Sequence, residues 1–426
     1  MSGSAIDASS VAALNRRKLD WRFKAVPAAV KGCTPHDFLA YGPELKDLQT
    51  PLLTLDGQAL ETNLDRMARW CEEHGVQLAP HGKTTMAPQL WQRQLERGAW
   101  GITLANLAQL RVAAEFGVAS MMLANSLTDP QAIRWVAEQG RSGTRIVSWV
   151  DNVQTVERIE KTLENSEAVL DVLVELGGPG GRTGARGIVP ALEVCRSVAA
   201  SERLRLIGVS GYEGSLAHTA DQAALETVRG YLSSMKELHL RLTAEGLYAE
   251  GPVILSAGGS AYFDAVVEVL ADCAGPEVIV LLRSGAYLVH DDGFYARISP
   301  FSRSGDQPLV AGMHGWARVV SQPEPGLAIL DAGKRDLPFD EGLPIPQGLA
   351  DELGAALLPL EGARITAMND QHCYLSFDAA QQEVRIGQVI RLGLSHPCTA
   401  FDKWQLIPVL DTVDSGNVID LIHTFF

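Results

Sequence analysis

Nowhere in the chain do apolar residues run on for the roughly 18 positions that a membrane-spanning helix needs, so no membrane span is expected. Met1 to Phe23 likewise lacks the continuous apolar centre of a secretory signal, with only Val11 to Leu14 coming close. Positive charge is scarce: 36 Lys and Arg stand against 51 Asp and Glu, and the formal charge of −15 argues against a broad footprint on a phosphate backbone. Small substrates or cofactors are the expected partners, with no nucleic acid and no membrane. The six cysteines (Cys33, Cys71, Cys195, Cys273, Cys373, Cys398) form neither a CxxC pair nor a regular framework, and a chain this long needs no disulfide staples. Reduced thiols in a soluble, cytoplasmic protein fit that pattern. Internal repeats and low-complexity segments are also missing. One further absence matters: Gly82-Lys83-Thr84 looks like the tail of a phosphate-binding P-loop, but that loop needs a glycine five residues before Gly82, and Gln77 stands there.

What is present is the balance of an ordinary globule, 46% apolar and 20% charged, in 426 residues that suffice for two domains with proper cores. Residues 1–48 are polar and irregular, with Trp21, Phe23, Phe38 and Tyr41 marking an arm expected to pack on the rest. From Pro51 the pattern becomes regular: Leu52 to Leu55 reads as a strand, and Leu60, Leu64, Met67 and Cys71 recur at helical spacing. Short apolar runs near 76–81, 101–105, 120–124, 145–150, 169–176, 204–210, 253–257 and 277–283 then alternate with amphipathic segments. The helical patterns include Leu107 to Phe116, Pro130 to Glu138, Val153 to Leu163, Pro190 to Ala200 and Ala223 to Leu242. Eight such units imply parallel strands joined by right-handed crossovers, hence an α/β fold of the (β/α)8 TIM-type barrel over 49–300. After about Phe301, short strand-like runs punctuated by Gly and Pro indicate a second, mainly β domain over 301–426. These runs are Ala317 to Val320, Leu327 to Leu330, Ile365 to Met368, Tyr374 to Phe377, Val384 to Ile386, Val389 to Leu392 and Val418 to Ile422.

In Leu78-Ala79-Pro80-His81-Gly82-Lys83-Thr84 an apolar approach ends in a lysine, and the helical pattern of Leu90, Trp91 and Leu95 follows. Side chains at the carboxyl ends of barrel strands meet where ligands bind, and a lysine there can form a Schiff base with a carbonyl cofactor. The bland alternative is a solvated surface charge. Glu175 to Gly184 closes the fifth barrel strand; its glycines miss the dinucleotide fingerprint because Thr183 stands where a glycine is required. Either this loop is merely flexible, or it carries Arg182 into the cleft to bind an anion. Ser256-Ala257-Gly258-Gly259-Ser260 ends the seventh strand, where glycine-freed amides can hold a phosphate or simply turn the chain. Arg283-Ser284-Gly285-Ala286-Tyr287 ends the eighth, and the last two strands are where barrels commonly seat a phosphate. In His396-Pro397-Cys398, an imidazole and a thiol two positions apart on an extended segment would face one side, as ligands of a catalytic zinc do. His372-Cys373 offers another ligand or proton donor, or a packed core pair.

Together these motifs resemble the fold-type III pyridoxal-phosphate enzymes, and within them the D-serine dehydratase and D-threonine aldolase group, from about Pro51 to the C-terminus. The resemblance implies that Lys83 carries the cofactor as a Schiff base and acts as catalytic base, with Arg182 near the phenolic oxygen. It implies that Gly258, Gly259, Ser260 and Tyr287 hold the phosphate and that Ser256, Arg283 and Gly285 belong to the same cofactor-binding set. It places an aromatic, Tyr212, beside the cofactor, and gives His396 and Cys398 a divalent metal, zinc in D-serine dehydratases. Three positions depart from the family's usual residues: Thr85 for histidine, Ser395 for asparagine, and Gln371-His372-Cys373 for Glu-His-Gly. These leave the substrate, and a catalytic role for His372, open. The implied activity is a lyase: a dehydratase turning D-serine or a related D-3-hydroxy amino acid into a 2-keto acid and ammonia, or an aldolase yielding glycine and an aldehyde. A non-catalytic cofactor-binding protein is the alternative of another class, and the tail domain counts against it. By analogy a homodimer is expected.

Overall fold

Eight parallel strands, Gln77–Leu78, Ile102–Leu104, Ser120–Ser126, Arg145–Val150, Leu170–Gly177, Leu204–Gly211, Val253–Ser256 and Val278–Leu282, form one sheet in the computed structural model, which describes residues 6–305 and 307–426. Each pairs with its sequence neighbour, and the eighth pairs with the first through Leu282 and Leu78. The second joins the first by a bridge between His81 and Thr103 and by the Thr103 amide donating to the Pro80 carbonyl at 2.9 Å, which closes the barrel. The expected barrel is therefore present, and its strands read as apolar runs because the sheet is buried on both faces. The helices between them start where short polar side chains cap them: Asn106, Asp129, Asn152 and Asp221 each accept from a backbone amide of the first turn.

The apolar cluster inside the barrel contains a layer of inward side chains, Ala79, Met122, Val147, Leu173, Ile254 and Leu281, together with Ala124, Trp149 and Ile207. Side chains alternate along a strand, so the next inward layer, toward the carboxyl ends, falls two residues on. That layer holds His81, Trp149, Glu175, Ser256 and Arg283, and Ser210 lies level with Glu175.

The chain does not divide at a single cut near residue 300. One compact unit takes Met67–Lys83 and Trp91–Gly285 with Ile6 and Asp7; the other takes Ala8–Arg66, Thr84–Leu90 and Ala286–Phe426. The strand Leu52–Asp56, expected at the start of the barrel domain, belongs to the second unit. It runs antiparallel to Met313–Glu324 and parallel to Leu406–Leu410, with all five residues buried. From Ala8 on, the N-terminal arm also falls in this unit, where Leu19, Phe38 and Leu45 pack with Leu52, Trp316 and Leu421; residues 1–5 of the expected arm lie outside the described residues. The strands Ile345–Ala350 and Leu406–Leu410 were not anticipated, and each contains a proline. Val384 to Ile386 is not a strand: the Arg385 amide donates to the Gln388 side chain at 2.7 Å, and Gly387 turns the chain at a φ of +97°. No helix among the described residues is long and apolar enough to cross a membrane.

Burial in this second unit makes its stability depend on pH. It holds the imidazoles of His290, His314 and His423 down at about 4, whereas in an unfolded chain they titrate near ~6.5. Above that pH the difference costs nothing; as pH falls toward 4, the unfolded chain binds protons that the folded chain refuses. Asp292, pushed up to about 6 by burial and then by Asp291, opposes this over much of the same window. Asp291 and Asp331, also raised by burial, oppose it too, so the fall between pH ~6.5 and ~4 should be smaller than the about 4 kcal/mol per pH unit that three histidines alone would give. Urea unfolding at several pH values measures the slope, and His314→Gln should flatten it by about 1.4 kcal/mol per unit.

Candidate active site

Chemistry-bearing side chains gather in two groups, one in each unit. The first sits in the polar layer of the barrel. Arg283, 4% exposed, donates to Ser256 Oγ and to the Gly211 carbonyl, both at 2.6 Å, and its guanidinium lies 4.8 Å from the centre of the Trp149 ring. Burial pulls the Arg283 guanidinium down from its ordinary value, and Glu213, Tyr231 and Glu175 partly restore it. Glu175, 2% exposed, is raised by burial, with Thr183 opposing through a hydroxyl that donates to Oε1 at 2.8 Å. Burial, followed by the cations Lys83 and Arg283, keeps the His81 imidazole well below the usual histidine range, so it is neutral at pH 7.

Lys83 lies in the turn Gly82–Thr84, two residues beyond His81. The turn requires glycine before the lysine: a Cβ on Gly82 would stand 2.6 Å from Ile102 Cγ2 and 2.9 Å from Trp91 Nε1. Gly82→Ala should therefore cost about 1–3 kcal/mol by overpacking and reduce coenzyme loading at Lys83, read together from a thermal melt and the visible absorbance. Arg182 is exposed, with its guanidinium 5.2 Å from the centre of the Tyr212 ring. Its loop is organised rather than loose. Arg186, which sequence reasoning passed over, donates to the carbonyls of Gly181, Arg182, Thr183 and Gly184, and the Gly184 amide donates to Asp151 at 2.9 Å.

The amides of Gly258 and Gly259, expected to face a phosphate, donate to the two carboxylate oxygens of Glu213, at 3.0 and 2.6 Å. Glu213 is fully buried. The only sequence signal for it was its place between Tyr212 and Gly214 at a strand end. Ser260 is half-buried beyond that pair of amides, Gly285 is buried at the end of the eighth-strand motif, and Tyr287, 3% exposed, lies in the second unit.

The polar layer is incomplete in a telling way. His81 Nδ1, Trp149 Nε1, Glu175 Oε2 and Ser210 Oγ are buried with no hydrogen-bond partner. Each such atom left unmet costs about 1–3 kcal/mol, which suits a layer shaped to meet a polar ligand. With the cations Lys83, Arg182 and Arg283 on the same barrel, the residues fit an anionic, hydrogen-bonding coenzyme.

The second group centres on His396. Its backbone takes a φ of +57°, and its amide donates to Asp291 Oδ2 at 2.9 Å. Its ring Nδ1 is 2.5 Å from Asp340 Oδ2. The segment is not extended as expected: His396 caps the short helix Pro397–Phe401, because proline favours a helix start. His396 and Cys398 nevertheless converge in a side-chain hydrogen bond. Burial alone would depress this imidazole, but Cys398 and Asp340 outweigh it and raise it to about 9. The Cys398 thiol also lies 3.4 Å from the hydroxyl of Thr84, the residue after Lys83 in the chain. Among the described residues no three His, Cys, Asp or Glu side chains are arranged to hold a metal ion. The pair would thus leave positions open on a cation, as catalytic sites do. His372, expected as a catalytic residue, is not brought into this group: the pairing of Met368 with Cys373 leaves Asn369 to His372 as a hairpin turn, and His372 is exposed there. Its neighbour Cys373 is buried core, its thiol pushed up to about 12 by burial.

Comparison with known proteins agrees with this geometry. Residues 55–274 match the family model of the alanine racemase N-terminal domain, and 312–410 match that of a putative serine dehydratase domain. The chain is 26% identical to a D-threonine aldolase from Arthrobacter sp over 85% of its own length and 89% of the relative's. It is 24% identical to the D-threo-3-hydroxyaspartate dehydratase of Delftia sp. strain HT23, covering 89% of this chain and 98% of that one. The crystal structure of D-threonine aldolase from Filomicrobium marinum superposes with a TM-score of 0.76 at 25% identity, over 90% of this chain and 97% of that one. A family match over half the chain, a closed barrel ending in a lysine and a β tail unit lead to one conclusion: the chain belongs to the alanine racemase N-terminal domain family, in the fold-type III pyridoxal-phosphate group.

Proposed function

We propose that the chain is a pyridoxal-phosphate- and metal-dependent lyase that dehydrates a D-3-hydroxy amino acid, giving a 2-keto acid and ammonia. The coenzyme, when bound, supplies the electron sink that stabilises negative charge at the substrate Cα. Lys83 would hold it covalently and then, released by the substrate amine, take the Cα proton as general base. Arg182 offers a guanidinium to its oxyanion, and Arg283, with Ser256, a buried donor set at the base of the polar layer. His396 and Cys398 would hold a divalent cation, which supplies Lewis acidity for the departing β-hydroxyl.

The observation that carries the reading is the convergence of His396, Cys398 and Thr84, the last being the residue after Lys83. Solved forms of the Delftia dehydratase include one with a histidine replaced by alanine and one, metal-free, with a cysteine two positions further on replaced. That spacing is the one shown by His396 and Cys398, and it supports the metal-binding reading. Aldol cleavage is the second reading, favoured by the two aldolase relatives from Arthrobacter and Paracoccus denitrificans. Incubation with D-threo-3-hydroxyaspartate, D-serine and D-threonine tests both: 2-keto acid with ammonia marks dehydration, glycine with an aldehyde marks cleavage, and no reaction with any of them refutes both. Zinc suits the imidazole and thiolate donors, and six free cysteines suit a cytosolic setting. A homodimer belongs to the same proposal, and light scattering measures it.

A further inference from the structure

The His396 ring is held by a carboxylate 56 residues earlier in the chain. Asp340 takes the His396 Nδ1 on Oδ2 at 2.5 Å, while its other oxygen accepts the Thr399 hydroxyl at 2.7 Å. Thr399 also donates to the His396 carbonyl at 3.2 Å, so carboxylate, hydroxyl and histidine form a closed ring of bonds. An ionised carboxylate only accepts, so Nδ1 keeps a proton, and Nε2 is the nitrogen that gives up its proton when a cation binds. Asp291 holds the backbone of the same residue in its left-handed conformation. A ring fixed at both backbone and Nδ1 has one orientation, with Nε2 left to Cys398 or to a cation.

We infer that Asp340, held by Thr399, is the positioning residue of the metal site, setting the tautomer that leaves His396 Nε2 available to a divalent cation beside Cys398. The inference rests on the metal reading proposed above. Carboxylate–imidazole–metal relays of this kind are common, and loss of the carboxylate typically lowers metal affinity about 10–100-fold. Asp340→Asn keeps the size of the side chain but turns an amide N–H toward Nδ1. The ring proton then moves to Nε2, where it blocks ligation. Asp340→Glu keeps an accepting oxygen and the tautomer.

The test is the affinity of metal-stripped, coenzyme-loaded full-length protein for Zn²⁺, measured by competition with a chromophoric chelator. Asp340→Asn should bind Zn²⁺ about 10–100-fold more weakly, with the coenzyme spectrum unchanged, and Asp340→Glu should recover most of the loss. Binding by Asp340→Asn as tight as by the parent overturns this inference alone. Equal losses in the Asn and Glu variants also overturn it, since that pattern marks a general structural defect. A parent chain that takes up no Zn²⁺ overturns the metal reading and this inference together.

Discussion

Lys83→Ala should purify as a folded protein without covalently held coenzyme and with activity at least about 10³-fold below the parent, since one residue supplies both the attachment point and the base. The surroundings of Lys83 argue for this. Its turn starts from Gly82, which packs against Ile102 and Trp91 too closely to admit a side chain, and from His81, bridged to Thr103. Lys83 thereby follows the end of the first strand, two residues beyond a layer that contains four unpartnered buried polar atoms. Lys83→Arg should fail equally, because a guanidinium keeps its proton and is a poor nucleophile. Steady-state assays with visible spectra check both variants, and the melting temperature shows that the fold survives. An active Lys83→Ala would remove the basis of the mechanism.

His396→Ala and Cys398→Ser should separate the two halves of the chemistry. The barrel residues proposed to hold the coenzyme are untouched, so both variants should load it normally. Both should lose tight metal binding and, with it, several kcal/mol of transition-state stabilisation, about a 10³-fold fall in keto acid formation. A chelator should impose the same fall on the parent and have little further effect on either variant. Retained activity together with an absent metal would mean that the imidazole and thiol act without a cation. The raised imidazole and its bond to Cys398 would then have to be read as a proton-holding pair. Metal analysis, coenzyme spectra and product assay on the same samples distinguish these outcomes.

The barrel was legible in the sequence because its strands are buried on both faces and its helices carry their own start signals at Asn106, Asp129, Asn152 and Asp221. The allegiance of Leu52–Asp56 was not legible, since an apolar run does not say which sheet it joins; its partners lie some 260 and 350 residues away. Ile345–Ala350 and Leu406–Leu410 were passed over because proline removes a strand donor, although Pro408 still pairs opposite Leu421. At the site, Lys83, His396 and Cys398 stood out through local motifs. Glu213 and Asp340 did not, because each acts on groups that folding alone brings to it, the amides of Gly258 and Gly259 and the ring of His396; Arg186, bonded to carbonyls two to five residues back, belongs to no motif. His372 and Cys373, adjacent in sequence, are sent by the hairpin register to opposite environments, the imidazole exposed and the thiol buried.

The attachment of the coenzyme is the claim on which the rest depends. Holoprotein reduced with borohydride and digested with protease should yield a single pyridoxyl-modified peptide, the one containing Lys83. A modified peptide carrying a different lysine, or no modified peptide from protein that had been mixed with pyridoxal phosphate, would contradict the account.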